Sequence, residues 1–332
     1  MSIRSSFALP AIVAGAMLVL GAASAQSAEK LRIGHDQQKS HAYQAGATTF
    51  AAKLKEATNG AYEVKVFPGA VLGHEMAMLD NVISGNLNFS IAAASNAATF
   101  LPFLGMFSVS YLFEDIDHFK KTLNDDKFAA IVDKKIAEAD VGFKRIAWFT
   151  AGVRNVYNNK KAVKTVGDIK DMKIRVMASP IESKVWGSLG AKPMAIPFGD
   201  VYTGMQTGLV EAAENAAAVY GANKHNEVAP YYSMTGHQWL IALIFVSDKS
   251  WAKLPADVQA KVMKIGKSLT GPIVDHAVNG DAEFLEVMKT KYGVKVNKVE
   301  KGGFIKALTP LQDEVAKELK MEAALARIRE LR

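Results

Sequence analysis

The chain contains no cysteine in 332 residues. That absence removes disulfides, thiolate nucleophiles and cysteine-ligated zinc together, so an oxidising compartment would not trouble the protein. Enzyme signatures are missing as well: there is no G-x-G-x-x-G dinucleotide turn and no G-x-S-x-G nucleophile elbow. Two near matches break. His74-Glu75-Met76-Ala77-Met78 opens like a zinc-protease helix, but Met78 stands where the second histidine must share a helical face. Gly266-Lys267-Ser268 echoes the end of a phosphate loop, yet Lys261 holds the place of the first glycine, within a helical pattern. The 7 histidines are scattered rather than paired. We therefore expect no metal, no cofactor and no catalytic residue. Nucleic-acid binding would need a basic stripe with interleaved aromatics. The formal charge of +7 is instead diffuse, and its densest pieces, Lys134-Lys135 and Lys160-Lys161, read as solvated faces.

What is present begins at the N-terminus. Arg4 precedes an apolar run over 7–20, broken only by Pro10, which ends in Ala23-Ser24-Ala25. Charge, apolar core and A-x-A order predict a secretory signal peptide over 1–25, too short to span a bilayer comfortably. No cysteine follows it to carry a lipid anchor. The expected location of the mature chain is the periplasm. About 300 residues then remain, enough for two packed cores.

Short β-type runs at 31–35, 62–67, 87–93, 143–149, 153–157, 173–177, 209–213 and 240–247 alternate with helical patterns at 41–57, 75–84, 127–139, 181–189 and 199–206. This predicts an α/β architecture. After Pro255 the pattern stays helical toward Lys291, with a break expected near Gly271-Pro272, and a final amphipathic helix is expected after Pro310. No low-complexity linker separates two halves, so the chain must cross between lobes more than once and the crossings must act as a hinge.

Arg175 lies inside the run 173–177, where alternation points it away from Ile174 and Val176. An arginine so placed needs a partner. Its rigid fork of donors matches the two oxygens of a carboxylate, although composition alone favours a solvated or structural role.

The surrounding segment, KIRVMASPIESKVWGSLGAKPMAIPFGDVYTGMQTGLVEAAEN over 173–215, decides between these. It resembles the ligand-binding segment of the solute receptors of tripartite ATP-independent periplasmic (TRAP) transporters. The likeness extends over nearly the whole mature chain, through Phe67-Pro68, Leu72-Gly73, Tyr111-Leu112-Phe113, Val166-Gly167-Asp168-Ile169-Lys170 and Leu254-Pro255. It implies a two-lobed, Venus-flytrap binding protein with hinge strands and a long helix spanning both lobes. Lobe I would take 26–151 plus 241–281, and lobe II 152–240 plus 282–332.

The resemblance assigns the carboxylate clamp to Arg175, a second arginine just after the hinge to Arg154, a ligand-binding amide to Asn215 and a ligand-packing aromatic to Phe198. From the other lobe it offers His35, Asp36, Glu75 and Asn96, at the carboxyl ends of strands where open α/β sheets bind ligands. His237 matches a late pocket histidine, and Trp239 would add an aromatic wall. Ala93 and Asn96 stand where sialic-acid receptors of the family carry an acidic residue and an arginine, which argues against that ligand. Tyr157 and the stretch from His225 to Tyr231-Tyr232 look like those of sugar-acid receptors, whereas the proline usual after the asparagine motif is replaced in Ala216–Ala218. The implied function is capture of a small organic anion, a uronate, an aldonate or another hydroxy acid. Its implied partners are the small and large membrane subunits of an ion-gradient-driven transporter, the receptor acting as a monomer. The alternatives are a C4-dicarboxylate receptor, a periplasmic sugar-acid enzyme, and a chemosensory co-receptor with the same pocket.

Overall fold

The computed structural model describes residues 28–332; the expected signal peptide lies outside the described residues. Among the described residues eleven strands form two sheets. The first contains β1 (Glu29–Gly34), β2 (Tyr62–Phe67), β3 (Phe89–Ala93) and β4 (Phe143–Phe149). The second begins with β5 (Val153–Asn158), β6 (Lys173–Val176), β7 (Lys192–Ala195), β8 (Ala212–Asn215) and β9 (Tyr231–Trp239). The chain then returns to the first sheet as β10 (Ala242–Ser247) and ends the second with β11 (Lys295–Lys298). Strand order is β2-β1-β3-β10-β4 in one sheet and β11-β9-β5-β8-β6-β7 in the other.

In both sheets the order reverses beside a parallel strand. β1 pairs in parallel with β2 on one side and β3 on the other, through the crossover helices Ala42–Ala57 and Glu75–Ser84. β6 does the same between β7 and β8, through helices Pro180–Ser188 and Val201–Gln206. Neighbouring loops part at such a reversal and leave a crevice at the strand carboxyl ends. Here the crevice follows Gly34 and Ala93 in one sheet, and Val176 and Asn215 in the other.

Both faces of each sheet are covered, and the central strands β3 and β10 of the first are buried at every position. Ile33, Phe50, Phe89, Ile244 and Leu269 pack on one face of the first sheet. Leu79, Phe107, Phe128, Trp148 and Phe245 fill the other. The second sheet is flanked by a Tyr157, Tyr220, Tyr232 and Met288 cluster, and by Ile174, Val176, Trp186 and Phe304.

The chain crosses between sheets at Thr150–Gly152 and at Leu240-Ile241, and the crossings are bonded to each other. Thr150 Oγ1 donates to Leu240 O (2.6 Å) and Leu240 N to Gly152 O (3.2 Å). A 36-residue helix, Ala256–Lys291, spans them. Its Gly266 lies against the Ile146 carbonyl of β4, and its Phe284 against Gly221 beside the second sheet. Contrary to expectation it runs unbroken through Pro272, because Leu269, Thr270, Ile273 and Val274 are all buried there and packing outweighs one lost backbone bond. Pro310 likewise sits inside helix Lys301–Glu318 rather than before it. The last helix, Glu322–Glu330, expected with the second lobe, packs on helix Asp126–Ala139 of the first through Leu325 and Ile328. A bidentate Arg327–Asp125 pair at 2.6 and 2.9 Å fixes it there.

Candidate functional site

The two crevices face each other across a narrow cavity of about 20 Å³. Its wall includes Asp36, Gln37, Tyr43, Glu75, Ala93 and Asn96 from the first-sheet side, and Arg154, Arg175, Met177, Phe198 and Asn215 from the second. Ala151 and Leu240, of the two crossings, complete it.

Arg175 and Arg154 are both 2% exposed, yet they are held differently. The Arg154 guanidinium is occupied: Nε and Nη2 grip the Glu214 carboxylate, Nη2 also donates to Glu214 O (2.7 Å), and Nη1 donates to Asn215 Oδ1 (2.9 Å). Burial opposes ionisation of Glu214, but the Arg154 charge overrides it and holds the carboxyl at about 2. Arg175 uses only Nε, which donates to Ile196 O (2.8 Å). Among the described residues its terminal nitrogens take no acceptor. The guanidinium carbon sits 5.9 Å from the centre of the Phe198 ring, within cation–π range. Burial depresses the Arg175 pKa, Glu214 works against that, and Arg154 adds to it.

Asn215 closes β8 opposite Asn155 of β5. Its Oδ1 accepts from Arg154 and from Ala216 N (3.0 Å), so the amide can offer only donors to a guest. Across the cavity, Glu75 Oε2 accepts from Ala93 N (3.0 Å) and Asn96 Nδ2 (2.7 Å). Asn96 Oδ1 in turn accepts from Ala178 N (2.9 Å), which ties the two sides together. Asp36 Oδ1 accepts from Gln37 Nε2 (2.8 Å). Burial raises the Asp36 pKa, and burial followed by the neighbouring Asp36 charge lifts Glu75 to about 8.

Seven of the expected residues thus meet at the cavity: Arg175, Arg154, Asn215, Phe198, Asp36, Glu75 and Asn96. The structure sets three back from it. His35 is wholly buried behind β1, its Nε2 bonded to Gln44 Oε1 (3.1 Å), and burial depresses it to about 4. His237 lies behind Glu214, 3.4 Å from Oε2, and is braced by Thr235 Oγ1 (2.9 Å) and the Trp186 ring. Trp239 stacks on Phe119 in the first-sheet core, ring centres 5.1 Å apart. Gln37 and Tyr43 escaped sequence reasoning. Gln37 could have been found as the neighbour of Asp36 in a strand-end loop, whereas Tyr43, on a buried helix face, gave no signal.

Residues 33–319 match the family described as bacterial extracellular solute-binding protein, family 7. The chain is 31% identical over 240 residues to the 2,3-diketo-L-gulonate-binding periplasmic protein of Escherichia coli, covering 71% of each. It is similar to the solved TRAP periplasmic solute-binding protein of Citrobacter koseri with bound D-glucuronate, at TM-score 0.86, 28% identity and coverage of 92% of this chain and 100% of that one. A Polaromonas receptor bound to D-erythronate matches at TM-score 0.84 and 26% identity, covering 90% and 97%. A family match over this span, joined to two facing α/β crevices around buried arginines, makes the chain a member of the bacterial extracellular solute-binding proteins of family 7.

Proposed function

We propose that the protein binds a sugar acid, a uronate or aldonate, in the periplasm and delivers it to a TRAP membrane transporter. One observation carries the reading: Arg175 is a buried cation that lines the cavity and whose terminal nitrogens take no acceptor among the described residues. An unpaired buried charge is costly, and a carboxylate with bidentate geometry relieves that cost. Arg154 is neutralised by Glu214 and leaves Arg175 as the anion clamp. Asn215 adds an amide donor and Phe198 a packing face. The named or bound ligands of the relatives above belong to this chemical class.

A guest held by Arg175 on one side and by Asp36 and Glu75 on the other touches both sheets, so it binds the closed form better and shifts the open–closed population by that difference. We place the lobe limits at the bonded crossings after Ala151 and Leu240. The closed receptor would then dock on the membrane subunits, and the chain acts as a carrier rather than a catalyst. Thermal unfolding with D-glucuronate, D-erythronate and succinate tests this, because a ligand at 100 times its Kd adds about 2.7 kcal/mol of stability. A shift with a sugar acid is expected; no shift with any hydroxylated acid rejects the reading.

A further inference from the structure

The long helix changes partners around Asp281. Ile273 and Ala277 pack on the core of the first sheet, whereas Phe284, Leu285 and Met288 pack on the cluster beside the second. Between them the Asp281 carboxylate accepts from two backbone amides of other segments. Oδ2 takes Val153 N (3.2 Å), at the start of β5 just after the crossing, and Oδ1 takes Ala218 N (2.9 Å), in the first turn of helix Ala217–Ala222. Both amides need such an acceptor. β8 ends at Asn215, opposite Asn155, so it does not reach Val153, and Ala218 is a helix-start donor with no acceptor in its own helix. Gly152, at φ +100°, permits the close approach, because a Cβ added there would collide with Asp281 Oδ2.

Each of these amides flanks a residue of the cavity wall. Val153 immediately precedes Arg154, and Ala218 lies just beyond Asn215 and Ala216. The two wall side chains bond to each other, Arg154 Nη1 donating to Asn215 Oδ1 (2.9 Å). Resting on the sugar-acid reading, we infer that Asp281 is a positioning residue: from outside the cavity wall it fixes the two backbone segments that carry Arg154 and Asn215 and so sets both side chains ready for capture. Without the carboxylate, two backbone donors lose their acceptor, and the crossing and the helix start are no longer tied to one point. The ordering of Arg154 and Asn215, complete on folding in the wild type, then falls on the binding step and lowers affinity. Asp281 does not line the cavity, so its effect on a guest must pass through these two residues.

The test compares the mature wild type with three variants. Asp281→Asn keeps the shape and one acceptor, and Asp281→Ala keeps neither. Val262→Ala truncates a buried residue of the same helix about five turns earlier. Titration calorimetry with D-glucuronate and D-erythronate runs at pH 8, where the Asp281 carboxyl, raised to about 7 by burial, is ionised. The tighter acid should bind at least about 10-fold more weakly to Asp281→Ala and at least about 3-fold more weakly to Asp281→Asn. Val262→Ala should lower the melting temperature and leave that affinity unchanged. Crystal structures of the unliganded proteins should show the Arg154–Asn215 bond broken or displaced in the Asp281 variants and kept in Val262→Ala. Unchanged affinity in both Asp281 variants, a loss matched by Val262→Ala, or an intact Arg154–Asn215 bond in the Asp281 variants overturns the inference. Should Asp281→Ala not fold, Asp281→Asn decides alone. Failure of the wild type to bind either acid rejects the sugar-acid reading instead, and the crystal structures then decide the role of Asp281.

Discussion

Two arginines share one cavity and nearly equal burial, yet their surroundings predict opposite effects of the same substitution. Arg154→Met leaves the fully buried Glu214 carboxylate without its cation and should cost about 3–5 kcal/mol of unfolding free energy. Arg175→Met removes a buried charge that is paired with no carboxylate among the described residues and replaces it with an apolar chain of similar length. It should leave stability within about 1 kcal/mol of wild type or raise it, while weakening sugar-acid capture at least about 100-fold. Urea unfolding paired with calorimetry checks both, and a destabilised Arg175→Met beside a stable Arg154→Met would invert the assignment. Arg175 was legible because an arginine inside an apolar strand demands a partner. The Glu214 pairing was not, since its partner lies 60 residues away and Glu211, in the same local context, is a part-exposed residue 3.6 Å from Lys160. His35 and His237 were drawn to the site by the family resemblance; in the structure their side chains bond to Gln44 and Thr235.

At the scale of elements, the strands with apolar runs were legible, and β7, β9 and β11 were not. β9 buries Ser233, Thr235, His237 and Gln238, so its buried positions read as polar and the pattern disappears. β11 is a four-residue edge with exposed lysines at both ends, a composition that marks edges and hides strands. The long helix was read as broken because proline removes a backbone donor, and what keeps it whole is burial on two cores at once. That contact depends on close approach at Gly266, where an added methyl group would meet the Ile146 carbonyl of β4. A backbone oxygen held in a sheet cannot move aside as a flexible side chain can. Gly266→Ala should therefore destabilise by about 1–3 kcal/mol despite the better helix propensity of alanine, whereas Gly271→Ala, which meets nothing, should be neutral or stabilising. Denaturant midpoints of the pair decide it, and equal midpoints would show that the helix does not press on β4.

At the scale of the whole molecule, buried carboxyls and histidines are held in altered protonation states, and folding becomes linked to pH. Burial lifts Glu75 to about 8 and Glu182 to about 7 from 4.5, and Asp281 to about 7 from 3.8. A carboxyl raised in this way binds a proton in the folded state that the unfolded chain has released, so its contribution is complete below about 4 and is lost as pH rises through 7–8. Burial has the reverse effect on His35, His41 and His225, depressed to about 4, 3 and 3 from 6.5. Their contribution is present above 6.5 and is lost as pH falls below it. Between pH 6.5 and 8.5 only the carboxyl set acts among these groups, so the melting temperature of the unliganded protein should fall from pH 6.5 and level off above about 8. Below 6.5 the two sets oppose each other and the curve should flatten until pH approaches 4.5. Glu182→Gln isolates one contributor, since Ser95 Oγ (2.9 Å) and Gln238 Nε2 (3.2 Å) both donate to Glu182 Oε1 and an amide oxygen can still accept them. That variant should lose part of the alkaline slope while keeping the fold, and a wild-type melting temperature that climbs from pH 6.5 to 8.5 would show that these carboxyls are ionised in the folded protein.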